Sequence, residues 1–198
     1  MPSGFQVTLN GHELVTVSTE GLNLVDIRVS GIRSMPEFAQ LDVTGGCHGE
    51  GIEDKYLLWE ADRLVQPGGE ICVTLVENAL TSRPGKTIEE TYADEEEQMG
   101  PHRSTEQMFE LRAQEPLLRD GYVLSVQPRT GETITARTLP EEWTFSYSVR
   151  WVWLHPERAT VTLSSTSLES IAKREVGRSH ARFHIGYNES VLFWAELP

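Results

Sequence analysis

Apolar and polar positions alternate along FQVTLNGHELVTVS, residues 5 to 18, on both sides of Asn10-Gly11. A period of two places one row of side chains on a core face. Asn-Gly suits a two-residue type I′ turn, in which both positions need positive φ. The pattern predicts a β-hairpin. A third run, Leu22 to Ile32, alternates through Leu22 and Leu24 and then through Ile27, Val29 and Gly31. That slip near Asp26 predicts a bulge. Phe38 to Val43 and Lys55 to Glu60 are further expected strands. The turn Gln66 to Glu70 then leads into the β-branched run Ile71 to Val76, whose Ile71, Val73 and Leu75 share a face.

The texture changes after Val76. Ile88 to Gln98 is rich in helix-forming glutamate and is stopped by Gly100-Pro101, while Ser104 to Gln107 offers a capping box for a second helix carrying Met108, Phe109 and Leu111. β patterning resumes with Tyr122 to Val126, a turn at Pro128 to Gly131, and Glu132 to Leu139. It is strongest in WTFSYSVRWVW, where Phe145, Tyr147, Val149, Trp151 and Trp153 oppose Thr144, Ser146, Ser148 and Arg150. After a turn at His155 to Glu157, Ala159, Val161 and Leu163 form another face. Leu168 to Lys173 reads as a helical turn or loop, and two strands close the chain.

Short strands separated by glycine-rich turns predict a mainly β, antiparallel, sandwich-like fold with one or two short helices in the central segment. The organisation expected is an N-terminal lobe over 1–80, an acidic helical connector over 81–120 and a C-terminal lobe over 121–198. Val65-Gln66-Pro67 with Gly69 to Ile71 echoes Val126-Gln127-Pro128 with Gly131 to Ile134. Hairpin chemistry alone produces such echoes, and duplication is the alternative.

Charge narrows the partners. The net charge is -13, and residues 87–98 hold six carboxylates with no basic residue. Such a chain repels phosphate backbones and anionic lipid, so no nucleic-acid or membrane partner is expected. The start, MPSGFQVTLNGHELV, lacks the cationic and apolar pattern of a secretory signal, and no apolar stretch approaches the roughly 20 residues of a membrane helix. Two cysteines, Cys47 and Cys72, form neither a disulfide framework nor a zinc motif, which points to a reducing cytoplasm.

Candidate chemistry is sparse. Arg83 to Thr87 ends like a phosphate-binding loop, but the first glycine of that motif would fall at Leu80, and Glu89 and Glu90 follow. The loop Thr44 to Gly51 sets Cys47 beside His48 with Glu50 near, the weak catalytic candidates of the chain; adjacent side chains on an extended loop diverge, and a thiolate needs a base that reaches its sulfur. His180 and His184 would share a helix face, yet in a strand they lie roughly 13 Å apart, too far for one zinc ion. The carboxylates at 94–97 lack the spacing of a calcium loop. No metal or cofactor is expected. Trp151 and Trp153 suit core packing, with a sugar-stacking platform as the alternative.

The hairpin, Leu41 to Gly46 (LDVTGG), Leu58-Trp59, Pro67 to Ile71 (PGGEI) and Gly85 to Glu90 (GKTIEE) together resemble a group of uncharacterised bacterial β-rich proteins of similar size. The resemblance implies a bacterial, cytosolic, all-β protein and carries over no catalytic residue. The function expected is a non-enzymatic protein-binding module, with Glu89, Glu90, Asp94, Glu95, Glu96 and Glu97 facing a partner that is favoured if basic. An immunity- or antitoxin-like role is one version, and a homodimer is compatible with it. The rivals are a hydrolase-type enzyme with a Cys47/His48 site between the lobes, and a carbohydrate or small-ligand binder.

Overall fold

Asn10 and Gly11 sit at φ 53° and 77° and close the expected hairpin between β1 (Gly4–Leu9) and β2 (His12–Ser18). The computed structural model describes residues 2–48, 54–93 and 111–198. The strands that follow are β3 (Leu24–Ile32), β4 (Ala39–Cys47), β5 (Lys55–Val65), β6 (Ile71–Val76), β7 (Val123–Pro128) and β8 (Ile134–Arg137). They continue with β9 (Glu142–Val152), β10 (Arg158–Ser167), β11 (Arg178–Gly186) and β12 (Ser190–Glu196). Short helices α1 (Ile88–Thr91) and α2 (Leu168–Lys173) interrupt them, and residues 111–114 are also helical.

The strands form two antiparallel six-stranded sheets, ordered β2-β1-β6-β12-β7-β8 (sheet A) and β11-β10-β9-β3-β4-β5 (sheet B). The mainly β, sandwich-like fold is as the alternation predicts. Strands from before residue 81 and after residue 121 mix within both sheets, so 1–80 and 121–198 do not build separate sheets. The inward rows meet in one core, where Tyr147 of β9 stacks on Phe193 of β12 at 4.5 Å between ring centroids and Tyr122 meets Phe145 edge-on at 4.6 Å. The echoed motifs are not equivalent: the first lies on the crossing from β5 in sheet B to β6 in sheet A, the second in the β7–β8 hairpin of sheet A.

Several local expectations are corrected. β3 has no register shift at Asp26; its inward row is Val25, Ile27, Val29 and Gly31, and Leu24 points away from it. Of the helix expected over Ile88–Gln98, α1 ends at Thr91 with Tyr92 as its C-cap, and residues 94–98 lie outside the described residues. Trp151 is buried as its row predicts, but β9 stops at Val152 and leaves Trp153 60% exposed in the following turn. The capping box at Ser104 to Gln107, with Met108 and Phe109, falls outside the described residues.

The open sides of the sandwich are laced shut. On one side the segment after β6 crosses from sheet to sheet. Ser82 and Thr81 hydroxyls accept from the Thr16 and Ser18 amides of edge strand β2, and Lys86 exchanges both backbone hydrogen bonds, each 2.8 Å, with Leu58 of edge strand β5. On the other, Arg178 of β11 donates to the Arg137 carbonyl of β8 at 2.7 Å. Both devices occupy edge-strand groups that would otherwise template pairing with another chain. At one end of the sandwich, buried Arg33 donates to the carbonyls of Arg119, Pro140 and Glu142, while Arg119 donates to those of Ile32, Pro36 and Glu37. These two arginines pin residues 117–122 to the β3–β4 connection.

Candidate functional site

The outward face of sheet B carries charge in register. Arg150 of β9 lies opposite Asp26 of β3, and in the next row Arg28 of β3 lies opposite Asp42 of β4. Arg150 Nη2 donates to Asp26 Oδ2 at 2.9 Å. Cross-strand pairs of opposite charge suit a wet sheet face; alternation places these residues on that face without naming their partners. The third carboxylate is not. Val43 pairs with Glu60 and Leu41 with Arg63, an irregularity that sets Asp62 at φ 51° and aims its amide at Asp42 Oδ1, 2.9 Å away. A bulge in an edge strand re-aims a side chain in this way.

α1 borders this face. Thr87 caps it through a capping box: its hydroxyl accepts from the Glu90 amide at 3.2 Å, and Glu90 Oε2 accepts from the Thr87 amide at 2.9 Å. The GKT ending that imitates a phosphate loop therefore serves as a strap and helix cap. A Cβ on Gly85 would stand 2.9 Å from Trp59 Cε2 and 3.0 Å from Leu57 Cβ, so this glycine is there for close approach. From α1, Ile88 and Tyr92 line a cavity of about 340 Å³ together with Asp26, Asp42 and Asp62. Tyr92 donates its hydroxyl to Asp62 Oδ2 at 2.8 Å.

Burial pushes the Asp42 carboxyl above its ordinary value, and the nearby carboxylates of Asp62 and Asp26 add to this, against the Asp62 amide and Arg28. Asp26 Oδ1 is buried with no hydrogen-bond partner among the described residues. Arg28 lines the same cavity, so three carboxylates stand against one guanidinium and the balance of charge is negative. No group of three or more His, Cys, Asp or Glu among the described residues is arranged to hold a metal ion.

The other sequence candidates are dispersed. Cys47 donates its thiol to the Gly21 carbonyl at 2.7 Å, while the His48 ring turns to Asp54, 3.6 Å away. The two adjacent side chains diverge, and Glu50 is outside the described residues. Both cysteines are free thiols. Glu89 and Glu90 are exposed on α1, and Glu90 is engaged in the cap; Asp94, Glu95, Glu96 and Glu97 lie outside the described residues. His184 meets Thr160 Oγ1 at 3.2 Å, and His180 points elsewhere.

A constellation that alternation did not reveal lies at the β8–β11 side. Ser165, fully buried, stands 2.7 Å from His180 Nε2, and its hydroxyl helps hold the Glu142 carboxyl low. Leu163 pairs with Ala181 and Ser164 with Ser179, which leaves His180 as the extra residue of a bulge. Burial alone would raise Glu142. Arg178, donating from Nε and Nη2 at 2.7 Å each, outweighs it with the Leu139 amide and Ser165 and brings the carboxyl from 4.5 to about 2. Burial first, then Arg178, lowers His180, so its ring is neutral at pH 7. The Ser165–His180 contact ties β10 to β11, and the Glu142–Arg178 pair ties β9 to β11. These residues hold strands together.

Among the described residues no helix is long and apolar enough to cross a membrane. Comparison of the chain with protein-family models, with curated proteins and with solved structures found no match.

Proposed function

We propose that this protein is a non-enzymatic binding module of the bacterial cytosol whose carboxylates engage a basic protein partner. The observation that carries the reading is the convergence of Asp26, Asp42 and Asp62 on one cavity bordered by α1, the helix that opens the acidic segment and adds exposed Glu89 and Glu90. A lysine or arginine entering that cavity meets the carboxylates of Asp42 and Asp62, while Asp94 to Glu97 add long-range attraction. An immunity- or antitoxin-like role, neutralising a basic protein by charge complementarity, is one form of this function.

The test is affinity capture from a bacterial lysate at low salt and at roughly physiological salt, where the Debye length is about 8 Å. The expected result is a basic protein captured by the wild type, shed as salt rises, and lost when Asp42 and Asp62 become Asn or when Glu95, Glu96 and Glu97 become Gln. Capture that ignores both salt and these substitutions, or no capture at all, overturns the reading.

A further inference from the structure

A second cavity, of about 460 Å³, lies along edge strand β5 beside the strap and has the opposite sign. Arg63 of β5 and Arg83 and Lys86 of the strap line it, against the single carboxylate of Glu60, in a chain whose net charge is -13. These cations are not all spent on the fold. Arg83 Nη2 is committed to the Trp59 carbonyl, at 2.6 Å, and to Glu60 Oε1, which orients the guanidinium and leaves its remaining N–H donors without a partner among the described residues. The Arg63 guanidinium and the Lys86 ammonium have no hydrogen-bond or ion-pair partner among the described residues. Three like charges at one mouth repel one another, and among the described residues no contact of the Arg63 or Lys86 side chain offsets that repulsion. Trp59 and Pro84 contribute apolar wall beside them. A planar guanidinium held in place, two cations without a partner among the described residues and an apolar wall are the parts of a site for an oxyanion carried on an organic body.

We infer that this cavity binds a small organic anion through a carboxylate or phosphate group, with Arg83 as the oriented donor and Arg63 and Lys86 as the charge clamp. The cavity adjoins the carboxylate cavity at Leu58 but is lined by different charged groups, and the inference does not depend on the protein-binding reading. One site takes an anion and the other a cation, so each is abolished by substitutions that leave the other's charges intact.

The experiment is isothermal titration of the full chain with citrate and, separately, with phenyl phosphate. The expected result is saturable binding of at least one, weakened roughly ten- to a hundredfold in the double variant Arg63→Gln, Lys86→Gln, as the loss of two charge-assisted contacts implies. Whichever probe binds more tightly names the oxyanion. The control is Arg137→Gln with Arg182→Gln, which removes the same charge elsewhere on the surface and is expected to leave binding within about twofold, since charges beyond a Debye length are screened. No saturable binding of either probe, or an equal loss in the control, overturns the inference. Arg83 is left in place because it also anchors the strap.

Discussion

Tyr147 shows how a single residue departs from the rule its row obeys. It sits fully buried between the sheets, stacked on Phe193, and its hydroxyl has no hydrogen-bond partner among the described residues. Burial, with Cys72 nearby, holds the phenol far above its ordinary range, so it stays neutral. An unsatisfied buried hydroxyl costs about 1–3 kcal/mol of desolvation, whereas the ring supplies the packing. Tyr147→Phe is therefore expected to leave stability unchanged or raise it by about 1 kcal/mol. Chemical denaturation read by circular dichroism checks this; a loss of stability would mean that the hydroxyl has a partner in solution. The arginines behave differently. Arg33 buries its charge but spends its donors on three carbonyls, which makes it a clamp.

Among the elements, the strap over residues 81–87 has the largest consequence. It joins the edges of both sheets, seats the helix that borders the carboxylate cavity, and supplies two of the cations of the other cavity. Gly85 makes this possible by letting the backbone rest on Trp59 and Leu57. Gly85→Val is expected to lift the strap and cost about 1–3 kcal/mol, as overpacking does. Amide hydrogen exchange supplies the sharper readout: protection of Leu58 and Lys86 falls while that of the central strands β9 and β12 is retained. Unchanged protection would show that the strap is not held by that contact. Bulges do the remaining positioning, since Asp62 and His180 each reach their partners only through a register irregularity.

At the scale of the molecule, closure of the second seam makes stability depend on pH. Glu142 titrates near 2 when folded against an ordinary 4.5, so its pairing stabilises the fold above pH 4.5 and is lost as pH falls through about 2. Arg178 is 42% exposed, and screening on that side brings the contribution down to on the order of 2 kcal/mol. His180 acts in the same direction at higher pH, because its lowered value favours a neutral ring that the unfolded chain would protonate below 6.5. Denaturation midpoints from pH 7 to pH 2 are expected to fall for the wild type. In Glu142→Gln the midpoint should be lower at pH 7 and its slope flatter below pH 5. A variant with the wild-type slope would remove Glu142 from this role.

What the sequence determined by itself is local: which residues alternate, which face of each strand is apolar, and where Asn10-Gly11 must turn. Those features follow from backbone geometry and side-chain period, and they were enough for a mainly β, antiparallel sandwich. The rows Asp26–Arg150 and Arg28–Asp42 were half-legible, because alternation places them on the wet face without naming their neighbours. Sheet order, the mixing of early and late strands, the strap and both charged cavities were decided by tertiary structure. Periodicity encodes a strand's face but not its partner, and partners can lie far apart, as Asp26 and Arg150 do at a separation of 124 positions. Bulges are harder still to read, since one extra residue depends on the opposing strand. Trp59, Asp62 and His180 therefore acquired their surroundings only when distant strands came into register.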